Sequence, residues 1–200
     1  MVAEGLFKDQ ADIDNHAKQS YGPVQPGDIK YKDVNNDGVI NDDDRVQIGN
    51  FHPRFQYGID IDLKLGRWEL FALGTAQTGS NIYFNNAYYW VYGNRKYSAM
   101  VLNRWTPETA ATATYPRLTT TNGSNNFRNS TFWLYDDRYF TLNRAQLTYH
   151  LPEKFFWKGL QLYVRGNNLL TVSPIRKQLE LNIASAPQMR SYMVGIVGSF

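Results

Sequence analysis

The sequence contains no cysteine, which excludes disulfide bridges and thiolate metal sites. It has no run of 18 or more apolar residues, so no transmembrane helix is predicted. The net charge is only +3 and the basic residues do not cluster, which argues against a nucleic-acid partner. The histidines at positions 16, 52 and 150 are isolated, and no nucleophile elbow, phosphate loop or dinucleotide fingerprint is present. We therefore expect no enzyme and no organic cofactor.

Aromatic residues are plentiful, at 15% of the chain, although the mean hydropathy is −0.50. This combination favours half-exposed strands over a thick helical core. The clearest strand is predicted at residues 55–65, where every odd position is apolar or aromatic and every even position is polar or glycine. Its length matches the roughly 9–11 residues that a tilted strand needs to cross a bilayer.

Four further strands are predicted at residues 68–77, 139–151, 160–167 and 192–200. Short turns follow the first and third strands, and long connections follow the second and fourth. This arrangement is typical of an outer-membrane barrel with periplasmic turns and extracellular loops. The alternative is a soluble β-sandwich with one polar face, which shows the same alternation.

Five strands leave two open sheet edges, which are costly in lipid, and single-chain barrels of this class begin at about eight strands. Residues 1–8 also lack the basic and apolar regions of a signal peptide. The fold class that we predict is therefore all-β, with these residues forming the C-terminal strands of a larger transmembrane barrel that they do not close. Residues 1–50 are predicted to form an extracellular loop region, and residues 51–200 the strands and their loops.

Residues 33–44 have the spacing of an EF-hand calcium loop, with oxygen-bearing side chains at positions 1, 3 and 5, a glycine at 6 and an acid at 12. Aspartate closes the loop where glutamate is usual, and no helical pattern flanks it. A polar surface turn is the alternative. The predicted ligands of a structural Ca²⁺ are Asp33, Asn35, Asp37, Val39 through its carbonyl, Asn41 and Asp44.

Two further groups of residues could contact a solute. The aromatic run in the long connection could stack on sugar rings, although loop packing or partner contact is the alternative. Asp60 and Asp62 share one face of the first strand, and we interpret them as polar lumen residues rather than as a glycosidase pair. The candidate stacking residues are Tyr88, Tyr89, Trp90 and Tyr92.

Five blocks of the sequence and a terminal aromatic residue, Phe200, follow one another along the chain. The blocks are GDIKYKDVNNDGVINDDDRVQIGN (27–50), PRFQYGIDIDL (53–63), NRWTPETAATATYPRL (103–118), FWLYDDRYFTLNRAQLTYHLP (132–152) and LQLYVRGNNLLT (160–171). In this order they resemble the C-terminal part of the SusC/RagA family of TonB-linked outer-membrane transporters, and Phe200 resembles the signal that the barrel-assembly machinery reads.

The resemblance implies a barrel of about 22 strands in the outer membrane of a Gram-negative cell, with extracellular loops and a periplasmic C-terminus. It implies contact with membrane lipid, a SusD-like lipoprotein that acts as a lid, and coupling to TonB through an N-terminal part. The implied substrates are oligosaccharides or peptides. The alternative that remains open is a soluble or surface β-rich carbohydrate-binding module with a structural calcium site.

Overall fold

The computed structural model describes residues 1–120, 125–152, 159–179 and 189–198. Within these ranges no helix is both long and apolar enough to cross a membrane. Three short 3₁₀ helices lie at Asp42–Asp44, Ala99–Asn103 and Thr131–Trp133. The other elements, in chain order, are β1 (Ala3–Leu6), α1 (Gln10–Asp14), β2 (Lys18–Gln19), β3 (Ile29–Tyr31), β4 (Val39–Ile40), β5 (Phe55–Leu65), β6 (Trp68–Thr78), β7 (Asn81–Tyr83), β8 (Leu134–Asp136), β9 (Tyr139–His150), β10 (Gln161–Val172), α2 (Arg176–Leu179) and β11 (Ser191–Val197).

The chain packs into two compact units. The first combines Met1–Gly49 with Ile82–Tyr135, and the second combines Asn50–Asn81 with Asp136–Phe200. The predicted loop region of residues 1–50 therefore contributes to the first unit together with much of the long connection between the second and third predicted strands.

The second unit is a five-stranded antiparallel sheet in the order β5, β6, β9, β10, β11. Each strand pairs with the next sheet strand along the chain, which agrees with the predicted succession of barrel strands joined by short and long connections. The β5–β6 turn needs a left-handed residue, and Gly66 supplies it with φ of +59°. No pairing joins the outer strands β5 and β11 among the described residues, so the sheet is not closed, as predicted.

The strand predictions are largely confirmed. β5 has the predicted bounds, and β9 ends one residue earlier than expected. β10 continues to Val172, and β11 begins at Ser191 and ends at Val197 in the described range. The turn at residues 153–158 and the terminal Phe200 lie outside the described residues.

An irregularity in β9 accounts for its broken alternation. Leu73 of β6 lies opposite Arg144, whereas the next residue, Gly74, lies opposite Leu142. Asn143 is therefore an additional residue, as in a β-bulge. This bulge brings the apolar residues on both sides of it, such as Leu142 and Leu147, to the same face.

The first unit contains small sheets that the sequence analysis did not predict. β1 pairs antiparallel with β3, β2 pairs in parallel with β4, and β7 pairs with β8. The same unit contains α1, where the N-cap residue Asp9 accepts a 2.8 Å hydrogen bond at Oδ1 from the Asp12 N–H. These strands are two to four residues long, which is too short for periodicity to reveal them.

The long connection between β6 and β9 is not a solvated loop throughout, because many of its aromatic side chains form a core. Trp133 and Tyr115 are each 1% exposed, and their rings meet edge to face with centroids 5.7 Å apart. Burial of such large side chains stabilises an irregular segment as effectively as a regular one. Other buried apolar residues of this unit are Phe7, Ile29, Tyr31, Ile40, Phe84, Tyr89, Val91, Val101 and Phe127.

A glycine and a tryptophan join two parts of the first unit. Gly27 has φ of +86°, and a Cβ at this position would lie 2.6 Å from ring carbons of Trp105. The Gly27 carbonyl also accepts a 2.9 Å hydrogen bond from the Arg117 N–H. Both the backbone conformation and the close approach of the ring therefore require glycine.

Replacing Gly27 by alanine should destabilise the first unit more than replacing Gly38. Both glycines have positive φ, but a Cβ at residue 38 would meet nothing within 4 Å. We expect Gly38→Ala to cost about 1–2 kcal/mol from backbone strain, and Gly27→Ala to cost about 1–3 kcal/mol more from overpacking against Trp105. Chemical denaturation of the purified variants measures both costs, and equal values would contradict the steric argument.

Candidate functional site

Asp33 organises the first half of the predicted calcium loop. Its Oδ1 accepts a hydrogen bond from the Asn36 N–H at 2.7 Å, and its Oδ2 accepts one from the Gly38 N–H at 2.8 Å. Asn36 and Gly38 adopt positive φ values of 59° and 85°. The carboxylate therefore satisfies two backbone donors that a tight left-handed turn leaves without sheet or helix partners.

The next two candidate ligands contact each other. The Asn35 amide donates to Asp37 Oδ2 at 2.8 Å, and Asp37 Oδ1 accepts from the Val39 N–H at 2.8 Å. Asn35, Asp37 and Val39 are all exposed. The side chains at positions 1, 3 and 5 thus form a hydrogen-bonded turn.

Asp44 closes the loop from inside. It is fully buried, and its oxygens accept from the N–H groups of Val34 at 2.7 Å and Asn41 at 2.9 Å. Burial by itself raises the pKa of this carboxyl, but the backbone donors outweigh burial and the pKa is lowered. Asn41 in turn caps the 3₁₀ helix of residues 42–44 by accepting from the Asp43 N–H at 2.6 Å.

The structure places the six predicted ligands in one loop but joins their side chains mainly to backbone amides. Among the described residues, no three His, Asp or Glu side chains are grouped as a metal site would require. Val39 begins β4, which pairs with β2. The loop's hydrogen bonds account for its shape, and calcium binding stays a prediction.

The predicted sugar-stacking residues take part in the aromatic core to different degrees. Tyr89 is 2% exposed and stacks on Phe84 with centroids 4.3 Å apart. Burial raises its pKa to about 12. Trp90 is half-buried and contacts the rings of Phe127 and Trp133, whereas the buried Tyr89 offers no free ring face in this conformation.

The other two stacking candidates are more accessible than Tyr89. Tyr88 and Tyr92 are partly exposed. The Tyr92 hydroxyl accepts a 2.6 Å hydrogen bond from Arg95, whose guanidinium also lies 4.0 Å from the Tyr92 ring centroid. This cation–π pair occupies one face of the ring. A role for Tyr88 and Tyr92 in solute binding stays a prediction.

A buried polar network, which the sequence analysis missed, joins distant parts of the first unit. Asp28 is 1% exposed and accepts hydrogen bonds from Arg117 Nε at 2.6 Å and Asn126 Nδ2 at 2.7 Å. Asn126 Oδ1 accepts from the Ile29 N–H at 2.8 Å, and Gln19 Oε1 accepts from the Tyr31 N–H at 2.7 Å. These side chains replace the missing strand partners of β3.

Sequence spacing could not reveal this network, because Asp28 and Arg117 are 89 positions apart and Asn126 lies in a run of Thr, Asn and Ser. Composition predicts a solvated loop there. The feature that indicates such a network is the buried strand β3, whose backbone N–H groups require partners from elsewhere in the chain.

The sheet of the second unit presents one continuous apolar face. Strand pairing aligns five apolar residues in a single row across the strands. These five residues are not covered by other parts of the structure, and their exposed fractions lie between 40% and 81%. An exposed apolar surface of this extent marks a membrane or partner contact. The row consists of Leu63, Leu70, Leu147, Val164 and Val194.

The opposite face of the sheet is mainly polar and internally hydrogen-bonded, although Phe71 and Leu73 of β6 also lie on it. Arg165 Nε donates to Gln146 Oε1 at 2.7 Å, and Glu69 lies 3.1 Å from His150 and 3.7 Å from Lys64. Asp60 and Asp62, predicted to be lumen residues, lie on this face. A sheet with one apolar and one polar face can separate lipid from an aqueous channel.

The chain is similar in sequence to TonB-dependent receptors, although no protein-family model matches it. TonB-dependent receptor P3 of Formosa agariphila is 31% identical over 154 residues, which cover 75% of this chain. TonB-dependent receptor P26 of the same organism is 30% identical over 179 residues, which cover 86%. The aligned parts represent 15% and 18% of these receptors' lengths, so the chain corresponds to a small part of either.

Solved structures of a peptide transporter named RagAB share the fold. The structure of its "open-open" state has a TM-score of 0.56 and 22% identity, and covers 86% of this chain and 18% of the RagAB chain. The "closed-closed" state also gives 0.56, at 20% identity. At this level of identity the likeness concerns the fold, and it supports the prediction of strands from a large barrel.

Acid should open the loop at residues 33–44. Because the pKa of Asp44 is lowered in the folded protein, its ionised form stabilises the loop above about pH 4, the ordinary value for aspartate. This stabilisation should disappear as the pH falls through the lowered pKa. Hydrogen exchange at Val34 and Asn41, corrected for intrinsic rates, should show the loss. Asp44→Asn should be less protected at neutral pH and should lack the acid transition, whereas unchanged protection of the parent at pH 3 would contradict the argument.

Calcium binding can be tested separately from these hydrogen bonds. Substitution of Asp33 removes backbone partners even if no ion binds, so the informative quantity is the effect of calcium on one protein. We expect about 1 mM calcium, near the affinity of extracellular modules, to slow proteolysis within residues 33–44 relative to a chelator. The double variant Asp33→Asn, Asp37→Asn should show no calcium effect. Identical proteolysis of the parent with and without calcium would refute the site.

Proposed function

We propose that this chain, whose predicted resemblance to SusC/RagA-type TonB-dependent receptors is confirmed by these similarities, forms part of the barrel wall of an outer-membrane nutrient importer. The five strands β5, β6, β9, β10 and β11 would span the membrane. Their apolar face would contact lipid, and their polar face would line the lumen. The chain acts in passage and recognition of a solute rather than as an enzyme.

The continuous apolar face carries this proposal. A row of aliphatic side chains that remains 40–81% exposed across five paired strands would be a strong aggregation hazard in water. In a bilayer the same row is stabilised, and the antiparallel pairing satisfies the backbone groups between strands. The two outer strands would pair with further strands of the complete barrel.

A soluble carbohydrate-binding module is not favoured. A β-sandwich covers its apolar face with a second sheet, yet aliphatic residues such as Ile59, Ile61 and Leu63 are each at least 45% exposed. The core of such a module would also lie between sheets, whereas the described five-stranded sheet has its apolar face open.

The proposed substrate and partners rest on the similarity to TonB-dependent receptors and to RagAB, and not on the geometry of this segment. RagAB is described as a peptide importer, and peptides or oligosaccharides are the proposed cargo. A SusD-like lipoprotein is proposed as a lid and TonB as the source of energy through other parts of the receptor. The barrel-assembly machinery would insert the strands, with Phe200 as part of its signal.

The first unit would then belong to the extracellular loops. A packed core centred on Trp133 gives these loops a defined shape, and loops held on a rigid scaffold commonly carry recognition. A calcium ion at residues 33–44, if bound there, would stiffen this surface structurally.

Adjacent residues on opposite faces of β5 provide a direct test of the membrane proposal. Ile61→Arg places a charge on the apolar face near the middle of the strand, and we expect it to cost about 2–4 kcal/mol of folding free energy in a bilayer. Asp62→Arg places the same charge on the polar face and should cost little. Folding into lipid vesicles, followed by urea titration, measures both.

The two faces respond differently only if one of them meets lipid. Similar stabilities of Ile61→Arg and Asp62→Arg, together with recovery of the complete protein in the soluble fraction of cells, would overturn the proposed location. Uptake of labelled peptides or oligosaccharides by cells carrying the complete receptor would then distinguish the two proposed cargo classes.

A further inference from the structure

A groove interrupts the apolar face at the end of the sheet where the long connections attach. Its volume is about 470 Å³, within the range of about 300–1,000 Å³ typical of small-ligand sites. It lies where β6 and β10 end and β9 begins. Its lining includes Ala76, Phe140 and Val172, which strand pairing places in one row of the apolar face.

Small residues beside one aromatic ring create the floor of this groove. The ring of Phe140 reaches over Gly74, where a Cβ would lie 2.8 Å from it. Ala76, the direct partner of Phe140, contributes only a methyl group. Pro174, after the end of β10, lines the outer side. The groove is therefore an apolar slot that continues the surface proposed to meet lipid.

A charged side chain lies at the rim of the slot. Arg138 lines the groove and follows Asp136 and Asp137 at the start of β9. Its side chain is 61% exposed, and its Nε lies 3.4 Å from Asp136 Oδ2. A guanidinium carries five N–H donors in a fixed fork, so this single long contact leaves donors that can bind an anion. Asp137 is hydrogen-bonded to Ser80 and Gln77.

We propose that this groove binds a phosphorylated membrane lipid, with an acyl chain on Ala76, Phe140 and Val172 and a phosphate at Arg138. The inference rests on the proposed membrane location, because only there does the apolar slot face acyl chains. Arginine pairs with phosphate in bidentate fashion, and basic side chains at the ends of membrane-spanning elements bind anionic headgroups. An apolar slot with an arginine at its rim matches both halves of such a lipid.

The test measures lipid binding to the purified complete protein in detergent, by native mass spectrometry and by titration. The probes are lipid A, which carries phosphates and acyl chains, a diacylglycerol, which carries acyl chains and no phosphate, and inorganic phosphate as the headgroup chemistry alone. We expect lipid A to bind most tightly and inorganic phosphate to compete weakly, since it cannot occupy the apolar slot.

Four variants separate the contributions. Arg138→Gln should weaken lipid A binding about tenfold through loss of a charge-assisted contact, and Ala76→Leu should weaken it by filling the slot while the charge is kept. Asp136→Asn should strengthen binding because it frees Arg138. Arg67→Gln is the matched control, since Arg67 is an exposed arginine in the turn at the opposite end of the sheet.

Equal lipid A affinities of the parent and Arg138→Gln, or equal affinities of lipid A and the diacylglycerol for the parent, would overturn the proposal. So would an equal loss in Arg67→Gln, because binding would then reflect general positive charge. Failure of the importer proposal would be seen elsewhere, in the cell fractionation and in the unfolding of Ile61→Arg. A failure of the lipid proposal can therefore be distinguished from a failure of the proposed membrane location.

Discussion

The register of the five-stranded sheet is the constraint on which the proposed role depends. Side chains alternate between the two faces of a strand, so a slip by one residue would exchange the apolar and polar faces. The pairing of Leu63 with Leu70, of Leu70 with Leu147, and of Leu147 with Val164 keeps the faces separate across four strands. A wall between lipid and water requires this separation at every row.

The bulge at Asn143 is part of the same constraint. Without the additional residue, Leu142 and Phe140 would lie on the polar face, because they stand at the opposite phase from Leu147. Asn143 then takes a polar role, donating a 2.8 Å hydrogen bond to the Thr75 hydroxyl. The bulge thus keeps the apolar residues of β9 on one face, and it also positions the Phe140 ring that lines the proposed lipid groove.

The first unit solves a different physical problem. Its strands are short and its chain is irregular, so backbone groups that a regular sheet would pair need other partners. Asp28, Asn126 and Gln19 provide them from inside the core, at 1%, 2% and 5% exposure. Large aromatic side chains supply the apolar burial, and Trp133 joins the two systems by donating its indole N–H to the Asn126 carbonyl at 2.8 Å. The result is a defined surface built with little regular structure.

The sequence by itself determined the sheet, because apolar and polar residues that alternate with a period of two predict both a strand and the face on which each side chain lies. It predicted the bounds and the two faces of β5, and the approximate positions of the other four strands, from alternation alone. Only the tertiary structure showed that aromatic side chains of the connection between β6 and β9 form a core, and that Asp44 is buried. Burial of Trp133 and the contact of Asp28 with Arg117 depend on residues far apart in the chain, and no local pattern records which distant partner will satisfy a buried group.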